Sequence, residues 1–171
     1  PKQRLLLLTK DETTPATVAE LLVANGFGPS KMVVLGALGG NDETRTEGVA
    51  NTWNETAPAF HLLAVECVAD ENARLLPRTG LPDDAFVHDG QMTKREVRIQ
   101  TLAALDPRRG ALLWDLGSGC GSVAIEWMRA AHDSLAIGVE RSSARRDMAA
   151  KNALKLGAPL FKQIDANVAE A

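Results

Sequence analysis

A chain of 171 residues with 45% hydrophobic and 24% charged side chains holds about one full domain, which excludes two complete Rossmann-type domains and excludes wholesale disorder. Its formal net charge of −3 argues against the basic face of a nucleic-acid binder but leaves room for a small anionic or zwitterionic ligand. No apolar run approaches the ~20 residues that span a bilayer, so no membrane partner is expected. The two cysteines, Cys67 and Cys120, lie in apolar stretches without metal-ligand spacing and read as buried thiols. His61 and His132 offer no metal constellation, and no metal site is expected. The opening PKQRLLLLTK is too short for a targeting segment and runs straight into Asp11 and Glu12; a buried strand fits it better, and the cytoplasm is the expected compartment.

In chain order, RLLLLTK reads as a strand. The next stretch, DETTPATVAELLVANGFG, reads as a helix with Pro15 in its first turn. Ala16, Ala19, Leu22 and Val23 share a face, and Gly26 and Gly28 end it. KMVVLGALGG is a second strand ending in glycines, polar turn-prone sequence runs through Pro58, and FHLLAVECVA is a third strand. From Asp70 to Asp84 the periodicity stops among prolines, a glycine and charges, which marks a linker or an exposed loop.

Beyond it, TKREVRIQTLAALD is an amphipathic helix. Val97, Thr101 and Ala104 lie near one face, Ile99, Leu102 and Leu105 broaden it, and Pro107 and Gly110 stop it. Strand ALLWDLGSGCG, helix SVAIEWMRAAHD, strand LAIGVER, helix SSARRDMAAKNALKLG and strand FKQIDA follow. Strand–helix–strand–helix–strand specifies a parallel α/β sheet with right-handed crossovers.

The sharpest motif is Asp115-Leu116-Gly117-Ser118-Gly119-Cys120-Gly121, glycines at alternate positions between a strand and a helix. Glycine permits the tight turn and lets a ligand approach the backbone, whose amides face electronegative atoms. A dinucleotide fingerprint places its last glycine one residue later, where this chain has Ser122. Glu140 ends the next strand, near the ~20-residue spacing at which a carboxylate accepts from ribose hydroxyls. The pattern asks for a ribose-bearing ligand. S-adenosylmethionine fits Asp-x-Gly-x-Gly-x-Gly better than a nicotinamide dinucleotide does, and a purely structural glycine turn is the remaining reading. Asp165 ends the third strand, where it either approaches the adenine or sits as a solvated turn aspartate.

Asp115 to Gly121 with Glu140 resemble the first motifs of class I, Rossmann-like methyltransferases. The run from Asp89 through Arg98, with Trp114-Asp115-Leu116-Gly117 and Ala124-Ile125-Glu126-Trp127, resembles the methylase/decarboxylase component of the precorrin-6Y C5,15-methyltransferase family. Leu35 to Arg45 resembles a run in the C-terminal subdomain of the partner methylase, a tetrapyrrole-methylase fold that many members fuse ahead of the first. The resemblance implies an α/β chain in three stretches. Residues 1–70 are part of a tetrapyrrole-methylase C-terminal subdomain, 71–84 a linker, and 85–171 the N-terminal portion of an incomplete Rossmann-like methyltransferase domain. It further implies S-adenosylmethionine-dependent methylation of a corrin precursor at C5 and C15 with decarboxylation of the C12 acetate. The implied partner is a macrocyclic tetrapyrrole, and the implied assembly a homo-oligomer. A class I methyltransferase for another small molecule or a nucleic acid, and a non-catalytic fragment keeping the fold's first half, are the rival readings.

On this resemblance Gly117, Gly119 and Gly121 cradle the methionine and ribose, Glu140 fixes the ribose, Asp115 orients the loop or the methionine ammonium, and Asp165 approaches the adenine. Lys94, Arg95 and Arg98 are expected to bind substrate carboxylates, with Lys94 and Arg98 sharing a helix face. The candidate catalytic residues are Gln91 and Thr93, which can donate or position through neutral hydrogen bonds, and His88, a candidate proton donor; an ordinary charged helix face and a turn-capping histidine are the bland alternatives.

Overall fold

Alternation along Lys31–Gly36 and His61–Glu66 puts Met32, Val34, Leu63 and Val65 on one face of a sheet, and all four are buried. The fold is that of a computed structural model, which describes residues 3–73 and 75–167. It divides into two compact units between Leu75 and Leu76.

In the first unit, β1 (Arg4–Leu8), α1 (Thr14–Ala24), β2 (Lys31–Gly36), β3 (Thr44–Val49) and β4 (His61–Glu66) form a four-stranded sheet with one helix. The order is β1-β4-β2-β3 and every pairing is antiparallel, with Leu7 opposite Leu63 and Leu35 opposite Arg45. Ala19, Val18 and Leu22 of α1 pack on the buried face, together with Ala50 and Cys67. Ala16 and Val23 lie outside this packed face, contrary to the sequence expectation. The stretch expected to be turn through Pro58 contains β3, a polar strand with no fully buried residue. Its backbone pairing with β2 defines it, and an edge strand with Arg45 and Glu47 in an exposed ion pair carries no apolar alternation to announce it.

In the second unit, α2 (Arg95–Leu105) precedes β5 (Leu112–Leu116), α3 (Ser122–Ala130), β6 (Leu135–Val139), α4 (Ser143–Lys155) and β7 (Lys162–Ile164). The three strands are parallel in the order β5-β6-β7, with Asp115 opposite Gly138 and Val139 opposite Ile164. Ala124, Ile125 and Trp127 of α3 pack with Leu102, Ala149, Ala153, Leu156 and Phe161 into one core. The Trp127 indole nitrogen donates to the Leu135 carbonyl at 3.1 Å. On β5, Leu112, Trp114 and Leu116 remain half exposed, a row of apolar surface.

Two expectations change here. The unit boundary falls inside the stretch expected as linker, 71–84, and the part of that stretch from Leu76 on belongs to the second unit, with Leu81 buried in the same cluster as Ala85 and Phe86. And α2 turns Arg98 and Leu102 inward, leaving Val97, Ile99 and Leu105 partly exposed. A buried arginine on the packed face breaks the apolar pattern that the sequence reading relied on. The helix ends at Asp106 in the left-handed conformation, φ 53°, one residue before Pro107.

Candidate functional site

The parallel strands bring the β5–α3 turn and the end of β6 together, the region where open α/β sheets bind ligands. The Gly117 and Ser118 amides both donate to the Val139 carbonyl, at 2.8 and 3.1 Å, and the Gly121 amide donates to the Ser118 carbonyl. This folds the turn back over the neighbouring strand. Gly138 on β6 is required beneath it, since a Cβ there would stand 2.6 Å from the Ser118 hydroxyl.

The three glycines of the motif have positive φ (78°, 55° and 77°) but do different work. A Cβ on Gly117 would meet nothing within 4 Å, and one on Gly119 only the Gly117 carbonyl at 4.0 Å. Both positions therefore face open space that a ligand can enter. Gly121 does not. A Cβ there would lie 2.8 Å from Phe161, 3.2 Å from Ala149 and 3.3 Å from Ile125. Gly121, expected to contact the ligand, packs against these core side chains and is not among the residues that line the cleft beside the turn.

A cleft of about 590 Å³ opens beside this turn. It is lined by Asp115, Gly117, Ser118 and Gly119 on one side and by Gln91, Thr93, Lys94 and Arg145 among others. Asp115 Oδ2 is buried without a hydrogen-bond partner. Burial pushes the Asp115 carboxyl above the usual carboxylate range, and the Ala124 amide pulls it partly back. The Ser118 hydroxyl is likewise buried and unpartnered. Glu140 accepts the Gly119 amide on Oε2 at 3.1 Å and the Ser142 amide on Oε1 at 2.9 Å. Each oxygen of an ionised carboxylate has a second lone pair, so this leaves capacity for hydroxyl donors. A buried carboxyl oxygen with no donor, open space above two glycines, and a strand-end carboxylate suit an adenosyl amino acid with its ammonium and ribose.

Several expected site residues sit elsewhere. The Arg98 side chain is fully buried and makes no ligand surface. Its guanidinium donates to Glu126 Oε1 (2.9 Å), Asp83 Oδ1 (2.8 Å) and the Thr93 and Leu81 carbonyls (both 2.5 Å), and lies 4.8 Å over the Phe86 ring. Glu126, equally buried, also accepts the Gly80 and Leu81 amides. Burial raises the Asp83 carboxyl, but the Arg98 hydrogen bond and charge, Lys94 and the Arg95 amide outweigh it and hold the group low. Arg95 turns away to donate to the Gly80 carbonyl at 2.8 Å. His88 Nδ1 accepts the Gly90 amide at 3.0 Å, a turn-stabilising bond, and the ring does not line the cleft. Asp165 is held by both terminal nitrogens of Arg146 at 2.8 and 2.7 Å, also outside the cleft lining. Gln91, Thr93, Lys94, Asp115, Gly117 and Gly119 are thus brought together, and Glu140 joins them through Gly119.

Two residues escaped the sequence reading. Arg145, in the first turn of α4, donates to Asp89 Oδ2 at 2.8 Å and to Gln91 Oε1 at 2.5 Å and lines the cleft. Its hydrogen bond and charge hold the Asp89 carboxyl below the usual range. Asn152, fully buried on α4, bonds the amide and carbonyl of Val87 and the Cys120 carbonyl, joining the segment before the cleft to the glycine turn. An asparagine on the core face of a helix was the available signal for the second; nothing local distinguished Arg145 from Arg146.

Comparison with known proteins follows the same residues. Residues 84–171 match the family model of the precorrin methyltransferase domain. A precorrin-6Y C(5,15)-methyltransferase (decarboxylating) of Sinorhizobium sp is 47% identical over 161 residues, covering 93% of this chain and 39% of that protein. The protein of the same name from Mycobacterium tuberculosis is 39% identical over 167 residues, covering 95% and 42%. The chain therefore spans about two fifths of the length of these curated relatives. The solved C-terminal domain of precorrin-6Y C5,15-methyltransferase from Rhodobacter capsulatus is 42% identical, with a TM-score of 0.51 over 54% of this chain and 50% of that one. With the family match covering the glycine turn, the cleft and the strand-end carboxylate, this chain belongs to the precorrin methyltransferase family.

Proposed function

We propose that this chain acts in corrin-ring synthesis as an S-adenosylmethionine-dependent C-methyltransferase, serving the methylation of precorrin-6Y at C5 and C15 and the decarboxylation of its C12 acetate. The unit that holds the glycine turn serves C15 methylation and decarboxylation. The first unit is part of a tetrapyrrole-methylase C-terminal subdomain and serves C5. The relatives' names support the substrate class. The observation that carries the cofactor reading is the buried, unpartnered Asp115 Oδ2 beside two glycines open to the cleft.

S-adenosylmethionine brings its own electrophile, a methyl group on sulfonium. The chain's task is to hold it in line with a ring carbon, and orientation alone is worth several kcal/mol, on the order of 7 or more in well-aligned systems. In this reading Asp115 accepts from the amino-acid ammonium, which relieves its buried charge. Gly117 and Gly119 let the ligand reach the backbone, and Glu140 accepts from the ribose hydroxyls while keeping the Gly119 amide in place. Lys94 lines the cleft with its ammonium 3.6 Å from Asp83, and can shift to a substrate carboxylate. Gln91 and Thr93 position the loop. A cytoplasmic homo-oligomer acting on a small molecule, not on nucleic acid or membrane, completes the proposal.

Calorimetric titration with S-adenosylhomocysteine tests the cofactor reading, with Gly119→Arg and an NAD control. Saturable binding of the adenosyl amino acid alone, abolished in the variant, is the expected result. Selective NAD binding, or binding indifferent to Gly119→Arg, rejects it.

A further inference from the structure

Two cations line the cleft, Lys94 and Arg145, together with one partly buried carboxylate, Asp115. Lys94 has Asp83 within reach. Arg145 is different. Its Nε and Nη2 are held by Asp89 and Gln91, side chains of the loop that borders the cleft, and its Nη1 donates to no acceptor among the described residues. The side chain is about a third exposed, 30%, and lines the cleft. Guanidinium has a fork of parallel donors, and two pinned nitrogens fix the direction in which the remaining ones point.

We infer that Arg145 is a carboxylate-binding residue of this cleft, its free edge taking a carboxylate of the bound ligand while Asp89 and Gln91 hold the fork in place. The inference rests on the reading that the cleft takes carboxylate-bearing ligands. Two such groups qualify: the amino-acid carboxylate of the cofactor, whose ammonium Asp115 would take, and an acetate or propionate of the tetrapyrrole. Both present the same planar pair of oxygens. The bland account is a clasp, in which Arg145 only ties the loop to α4. The two accounts separate at Asp89. A clasp fails equally when either partner is removed. A ligand site loses its donor only with Arg145, because Asp89→Asn keeps an amide oxygen to accept from Nε and aim the fork while removing the charge that competes with the ligand.

The test compares the whole chain with Arg145→Gln, Arg145→Lys and Asp89→Asn, using three probes: S-adenosylhomocysteine, methylthioadenosine, which lacks the amino-acid end, and uroporphyrin, a tetrapyrrole bearing acetates and propionates. Circular dichroism checks that each variant is folded. Loss of a charge-assisted pair should weaken binding by about tenfold or more. If the cofactor carboxylate is the partner, Arg145→Gln weakens S-adenosylhomocysteine, leaves methylthioadenosine unchanged, and Asp89→Asn binds as well as the parent. If the substrate carboxylate is the partner, the same pattern appears with uroporphyrin while S-adenosylhomocysteine is untouched. Arg145→Lys, keeping charge without the fork, falls between. Equal losses in Arg145→Gln and Asp89→Asn, or parent-like binding of every probe by Arg145→Gln, overturn the inference. A parent chain that binds uroporphyrin but no adenosyl ligand rejects the cofactor reading alone, and Arg145 is then judged on uroporphyrin. A folded parent that binds none of the three rejects both.

Discussion

Replacing Gly121 by alanine should damage the fold, whereas the same change at Gly119 should damage the cleft. At both positions φ is positive, 77° and 55°, and a non-glycine residue there costs about 1–2 kcal/mol. At Gly121 the new methyl would also stand 2.8 Å from Phe161 and 3.2 Å from Ala149. Both are core residues, and overpacking of this kind costs about 1–3 kcal/mol. Gly121→Ala is therefore expected to lose about 2–5 kcal/mol and Gly119→Ala about 1–2. With a typical slope of about 1–3 kcal/mol per molar urea, the midpoints should differ by roughly 1 M. Urea unfolding followed by far-ultraviolet circular dichroism gives the stability, and titration of S-adenosylhomocysteine at a denaturant-free temperature well below both transitions gives the binding. Gly119→Ala should stay folded and lose affinity, because its methyl projects into the space reserved for the ligand. Coincident midpoints, or a Gly121→Ala variant more stable than Gly119→Ala, would refute the division of labour drawn from the contacts.

Asp115→Asn should weaken S-adenosylhomocysteine by about 10- to 100-fold, the worth of a hydrogen bond to a charged group. It should also raise the melting temperature at neutral pH. The folded Asp115 carboxyl titrates above its unfolded value, so its ionised form opposes folding at higher pH. That penalty is relieved as pH falls through the raised value toward the unfolded one, and the advantage of the variant should shrink over the same window. Glu126→Ala strips a buried arginine and two amides of their acceptor and should cost about 3–5 kcal/mol in chemical unfolding. The paired Arg98→Met, Glu126→Leu variant should cost less than the sum of the single changes. For Asp89 the sign is opposite to that of Asp115. Its lowered folded value means the pair with Arg145 holds above the unfolded pKa and is lost as pH falls through the folded one. Carbon-detected NMR should find Asp89 titrating below an ordinary aspartate, and back in the usual range in Arg145→Gln.

What the sequence made legible is what local signals encode. The alternation of strand and helix after Ala111, and the glycines that turn the chain, are written in neighbouring residues, and the parallel sheet follows from them. The separate roles of Gly117 and Gly121 were not, because Phe161 and Ala149 lie far along the chain from the turn they press against. Arg98 shows the same limit in another form. Four residues after Lys94 it reads as one more cation on a charged face, and only the packing of α3 against α2 reveals a carboxylate at Glu126 waiting for it. The segment before α2 lacks periodicity because its order comes from hydrogen bonds to Glu126 and from three separate buried side chains, Leu81, Ala85 and Phe86, not from a regular element.

These contacts anchor the cleft-bordering loop unevenly. At its inner end the Thr93 carbonyl is held by Arg98, whose side chain is wholly buried and fixed on three further sides. Its outer end is held by Arg145 on Asp89 and Gln91, in a pair about a third exposed on both sides. Exposed pairs contribute about 0–1 kcal/mol, buried ones far more when broken. Opening should therefore begin at Asp89–Gln91 and pivot near Thr93, admitting ligand without unpicking the core. Amide hydrogen exchange measures this directly. The Gly80 and Leu81 amides, bonded to the buried Glu126, should exchange only with large-scale unfolding, while the Gln91 amide, bonded to the exposed Asp89, exchanges through local opening. Saturation with S-adenosylhomocysteine should slow Gln91 and leave Leu81 unchanged. Equal protection of the two amides in the free chain would mean that the loop opens only with the whole unit, and the hinge at Thr93 would be wrong.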